Sequence, residues 1–179
     1  MEKTYYFLGF GAIGFILFGF ISNSRATKVT EIANVVQTPE QFEEIGQQLG
    51  FISNFSLSAL RKIDNPGVFD FAQKLNAHYF DLFISFKTVA SDENYHVTYQ
   101  PTADDKRKLH LLKSLRLEHF EPAYLKKLIP ELEKIHQITN QGLPENISPE
   151  LVTLFNEIDE LTQKYLDISR NLIAYEEHL

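Results

Sequence analysis

Apolar side chains recur along most of this chain at the three- and four-residue spacing of helices with one buried face. In the first such stretch Thr38-Pro39-Glu40-Gln41 supplies a cap, a proline at the first helical position and a capping-box glutamine. Phe42, Ile45, Leu49, Ile52, Ala59 and Ile63 then form one row, with Ser56 as its polar member. Asp64-Asn65-Pro66-Gly67 reads as a turn in which Asn65 caps a second helix opened by Pro66. The row of that helix is Val68, Ala72, Leu75, Tyr79, Leu82, Phe86 and Val89, alternating four and three without a break. Phe69, Phe71, Phe80 and Phe83 widen the stripe, so the second helix is expected to be the most buried.

Residues 91–103 break the pattern and predict a loop, with Val97-Thr98-Tyr99 as a short extended piece. Asp104 to Leu117 reads as a shorter helix. A further helix from Phe120 to Gln141 presents Tyr124, Leu128, Leu132 and Ile135, with Pro122 in its first turn and Pro130 placed to kink it. Gly142-Leu143-Pro144 stops it, and Ser148-Pro149-Glu150 caps the last helix. There the row Leu151, Leu154, Ile158, Leu161, Tyr165, Ile168, Leu172, Tyr175 and Leu179 keeps the same alternation. The pattern predicts an all-α fold, a helical bundle over residues 38–179, although a heptad run of this kind also suits pairing between chains.

The first residues obey a different rule. From Thr4 to Ser24 there is no charge, and residues 5–21 (YYFLGFGAIGFILFGFI) are almost continuously apolar. A helix of that length spans roughly 26 Å, the low end of a bilayer crossing. Residues 1–26 are therefore expected to be a membrane anchor or a signal segment. Lys3 ahead of the run and Ser24-Arg25-Ala26 after it also fit a cleaved signal, whose apolar core is usually shorter. Residues 27–37 form a connector. Lys3 on one side and Arg25 and Lys28 on the other leave the positive-inside count nearly tied, slightly favouring a cytoplasmic bundle.

Composition narrows the chemistry. The chain has 179 residues and a formal charge of −7, which argues against a nucleic-acid partner. Residues 104–134 carry eight basic and six acidic residues, whereas residues 135–179 carry two and eight. With no cysteine, thiol catalysis, disulfides, iron–sulfur clusters and thiolate zinc sites are excluded. No nucleophile elbow, Walker loop or dinucleotide-binding glycine motif occurs.

Two stretches resemble the domain-of-unknown-function family 4142, exported bacterial proteins with a ferritin-like bundle. Asn65-Pro66-Gly67-Val68-Phe69-Asp70-Phe71-Ala72-Gln73-Lys74 is similar to its segment of proline, acidic or small residues and Phe-Ala-Gln. Phe120-Glu121-Pro122-Ala123-Tyr124-Leu125 resembles its Phe-Asp-x-x-Tyr-Leu. The likeness runs over about residues 38–175. It departs from the family at two Asp-His pairs: the first has His78 preceded by Ala77, and the second falls at Glu131-Leu132. The resemblance implies a ferritin-like four-helix bundle and export, and it places the bundle in the periplasm, overruling the small charge count.

A ferritin-like bundle raises the question of a di-iron centre, which needs a Glu from two helices and Glu-x-x-His from two others. Glu133-Lys134-Ile135-His136 is one such motif, and Glu93-Asn94-Tyr95-His96 falls in the expected loop. Leu75 stands where a glutamate should precede His78, so the set is incomplete. The candidates for a metal are thus His78, Glu133 and His136 alone, and no cofactor is expected. His110, His119 and His178 follow no metal-binding spacing. The sequence therefore predicts a non-enzymatic module of the cell envelope, held in the inner membrane through residues 5–21, with protein partners and a possible oligomer. The alternative is a metal- or small-ligand-binding bundle in a stress response.

Overall fold

The computed structural model describes residues 39–141 and 147–176. The anchor or signal read over residues 1–26, the connector, the Thr38 cap, the Gly142-Leu143-Pro144 stop and Leu179 lie outside the described residues. Among the described residues no helix is long and apolar enough to cross a membrane.

Five α-helices make up the described fold, all of it helical or irregular: α1 (Pro39–Ala59), α2 (Pro66–Asp92), α3 (Ala103–Ser114), α4 (Phe120–Thr139) and α5 (Pro149–Glu176). The four long helices form a ring of contacts, α1 with α2, α2 with α5, α5 with α4 and α4 with α1. Side-chain pairs set the directions. Phe42 stacks on Phe86 while Ser53 bonds Asn76, so α1 and α2 are antiparallel. By the same logic Phe86–Phe155 and Tyr79–Thr162 make α5 antiparallel to α2. Gln48–Glu131 and Ser56–Tyr124 make α4 antiparallel to α1. In chain order the long helices therefore run up, down, down, up, with one crossover between α2 and α4 that includes α3.

The expected caps form where the backbone needs them. Asn65 Oδ1 accepts from the amides of Gly67 (2.8 Å) and Val68 (3.3 Å) at the start of α2. Glu121 Oε1 accepts from the amides of Asp64 (2.8 Å) and Asn65 (3.3 Å), tying that turn to the first turn of α4. Ser148 Oγ accepts from the Leu151 amide at 3.2 Å. A cap the row pattern did not suggest opens α3: Thr102 and Asp105 exchange side-chain and backbone bonds in a capping box.

Several boundaries differ from the periodic reading. α1 ends at Ala59, and Ile63 is buried from the following turn rather than from the helix. α3 stops at Ser114 because Lys62 Nζ takes the carbonyls of Lys113 and Leu115, and a 3₁₀ turn follows over Leu117–His119. α4 continues through Pro130, whose ring faces solvent, so the lost amide falls on the outer side.

The largest difference concerns burial. α1, not α2, is the most buried helix: twelve of its 21 residues are buried, against eight of 27 in α2. Phe69 and Phe80, expected to widen the core stripe of α2, are 39% and 54% exposed on its far side. Residues 93–102 cross α1 as a strap over Gly46 and Gly50. Val97 seats on Gly46, where a Cβ would lie 2.2 Å from Val97 Cγ1, and Tyr99 on Gly50, where a Cβ would lie 2.5 Å from Tyr99 Cγ. Tyr95, from the same strap, stacks on Phe42 with ring centroids 4.0 Å apart.

Gly50→Ala is expected to lower stability by about 1–2 kcal/mol, although alanine favours an exposed helix by ~1 kcal/mol over glycine. Urea denaturation measures this; a gain in stability would show that Tyr99 does not need the glycine.

Candidate functional site

The structure separates the three metal candidates into two seams on either flank of α5. His78 lies on exposed α2 surface, and its Nδ1 is 2.6 Å from the Tyr165 hydroxyl. With the ring proton on Nε2, Nδ1 accepts a hydrogen bond from the Tyr165 hydroxyl. The ring thus serves to satisfy a buried tyrosine whose body packs at the α2–α5 contact.

Glu133 and His136 sit one turn apart on α4 and both reach α5. Arg170 Nη2 donates to Glu133 Oε1 at 3.0 Å. His136 Nδ1 lies 2.7 Å from Asp159 Oδ1, so that nitrogen carries the proton and donates. Asn140 Nδ2 donates to the same oxygen at 2.8 Å and to the His136 carbonyl at 2.8 Å, and Gln163 donates to Asp159 Oδ2 at 3.0 Å. Asp159 therefore gathers the last turn of α4 onto α5. Residues Glu133, His136, Gln163 and Arg170 line a shallow groove of about 450 Å³ here. Among the described residues no group of three His, Asp or Glu side chains is placed to hold a metal ion. The other Glu-x-x-His motif is divided likewise, with Glu93 accepting from the Ser148 amide and His96 exposed.

Hydroxyls occupy interior positions from which a bundle's metal ligands would project. Thr162 Oγ1 donates to the Ile158 carbonyl, which leaves Tyr79 to donate its phenol proton to Thr162 at 2.8 Å. On the opposite pair of helices Tyr124 donates to Ser56 Oγ at 3.0 Å. Ser56, the polar member of the α1 row, is thus the acceptor that a buried tyrosine requires. Burial pushes the Tyr79 and Tyr124 phenols well above the usual range. Tyr165 is pushed up to about 12, first by burial and then by the Asp70 charge.

A polar cluster that periodicity did not reveal joins α1, α3 and α4. Gln48 Nε2 donates to Glu131 Oε2 at 3.0 Å and to the Glu131 carbonyl at 3.1 Å. Lys108 Nζ lies 2.6 Å from Glu131 Oε1 and 3.1 Å from Asp104 Oδ2, and 5.4 Å from the centre of the Phe51 ring. Burial alone would lower Lys108, but the two carboxylates outweigh it and hold the ammonium above its ordinary value. Glutamine or glutamate inside an otherwise apolar window was the available sequence signal, but nothing in spacing identified its distant partner. These bonds dock α3 on α1 and α4, and Lys108 and Glu131 also line a small groove of about 230 Å³ with Phe55, Leu111 and Pro130.

Glu131→Gln should destabilise the fold by about 1–2 kcal/mol, since it leaves Lys108 without its better-buried counter-charge; thermal unfolding of the two forms checks it. A second expectation concerns pH. An unfolded tyrosine ionises near 10 and Tyr165 near 12, so the unfolded chain loses its proton first. The stabilisation is complete below pH 10 and is lost as pH rises through about 12. The urea midpoint should fall over that window, with the buried phenolate absorbance appearing only on unfolding. Comparison of the chain with protein-family models, curated proteins and solved structures gives no match.

Proposed function

We propose that this chain is a non-enzymatic interaction module, anchored in the inner membrane through residues 5–21, whose periplasmic bundle serves as an accessory subunit of a cell-envelope assembly. One observation carries the reading: large apolar side chains stand in solvent on helix faces while the candidate polar groups are engaged in bonds between helices. Phe80 is 54% exposed, Ile84 46%, Leu111 46% and Leu117 57%. His78, Glu133 and His136 each hold a partner on α5. The up, down, down, up order with one crossover supports a ferritin-like bundle, in keeping with the resemblance to family 4142. A second reading, a small polar ligand or metal bound through His136, rests on the groove between α4 and α5.

Affinity purification of the full chain from detergent-solubilised membranes should yield a second protein in stoichiometric amount. Recovery without one would overturn the proposal, and stoichiometric iron, zinc or manganese by elemental analysis would favour the second reading. Edman sequencing should begin at Met1; a start at Thr27 would identify a cleaved signal.

A further inference from the structure

The outer face of α2 has a repeat of its own. Moving each member of the core row two residues toward the N-terminus, about 200° round the helix, gives a second row on nearly the opposite side. That row is Pro66, Asp70, Gln73, Ala77, Phe80, Ile84 and Lys87, continued by Ser91, and every member is exposed. Its centre is apolar, with Ala77, Phe80 at 54% and Ile84 at 46% exposure, and its ends are polar or charged. Phe69, 39% exposed, widens the strip on one side. Among the described residues the ion pair that engages these charges is Asp70–Lys74, itself in solvent at 2.7 Å. A surface pair of that kind contributes little and is readily exchanged.

We propose that this face pairs with the same face of a second copy of the chain, the two α2 helices antiparallel about a two-fold axis between Ala77 and Phe80. In that register each large Phe80 lies over the small Ala77 of the partner copy, and Gln73 lies opposite Ile84. The same register sets Asp70 against Lys87 and Lys74 beside Asp81, so opposite charges meet at both ends of the apolar centre. Parallel pairing would instead put Asp70 against Asp70 and Lys87 against Lys87, which opposes it. The strip is roughly 40 Å long, a narrow contact at the small end of specific interfaces. The complementarity of one register, in both size and charge, is what commits the face to its own copy. The proposal deepens the interaction-module reading by naming one occupant. A monomer here would leave capture of a different protein from membranes untouched, so the two fail separately.

The absence of cysteine makes the register directly readable. Purified full chain in detergent should sediment as a dimer at tens of micromolar. Asp70→Lys should raise the dissociation constant about tenfold or more, and Asp70→Lys with Lys87→Asp should restore it, helical circular dichroism being unchanged. A short bismaleimide should join Gln73→Cys chains to Ile84→Cys chains when the two are mixed, and join neither efficiently to itself. Three results would overturn the proposal: a monomer at every concentration, a dimer indifferent to Asp70→Lys, or cross-linking of Gln73→Cys chains to one another.

Discussion

The seating of two strap side chains directly on the glycine backbone of α1 organises this bundle. Gly46 and Gly50 leave a channel along α1, and Val97 and Tyr99 fill it to within distances that no Cβ would permit. That contact lays the long connection against α1 instead of leaving it in solvent. It covers Gly46 and Gly50 of α1 and delivers the chain to Thr102, where the capping box starts α3. From there Lys108 meets Glu131, and Lys62 terminates α3. The path of the crossover and the burial of α1 therefore share one steric cause.

Polar groups inside the bundle act mainly as register marks. Tyr79 with Thr162 fixes α2 against α5, and Tyr124 with Ser56 fixes α4 against α1. Each phenol must keep its proton and a partner because water cannot reach it, so a slip of either helix would strand a buried donor. The seam between α4 and α5 works the same way from the surface, with Asp159 accepting from His136, Asn140 and Gln163. Residues that read as candidate ligands are thus mostly the fastenings of the fold. What the molecule offers to its surroundings is a set of exposed apolar and charged helix faces.

Much of this was legible in particular residues. Asn65 before Pro66 and Ser148 before Pro149 marked helix starts because a cap needs only its neighbours in sequence. The row of α2 and the first half of the α5 row marked buried faces because period sets which residues share a side; toward the end of α5 the row runs out of the core, with Tyr175 61% exposed. Phe69 and Phe80 are exposed because their positions lie away from the row, and aromatic character alone does not bury a side chain. His78 and His136 could be recognised as candidates, yet their partners Tyr165 and Asp159 lie far along the chain and follow no spacing from them.

The sequence alone therefore determined the helical class, the starts of α2 and α5 and the core rows of the long helices, all of which depend on interactions within a few residues. Tertiary structure decided that α1 is the most buried helix, that α3 docks through a buried carboxylate, and that His78 stands apart from Glu133 and His136. Those outcomes depend on which distant segments meet. The glycines show the division well: in a sequence Gly46 and Gly50 only weaken a helix, and their use as a seat for Val97 and Tyr99 exists only once the strap crosses them.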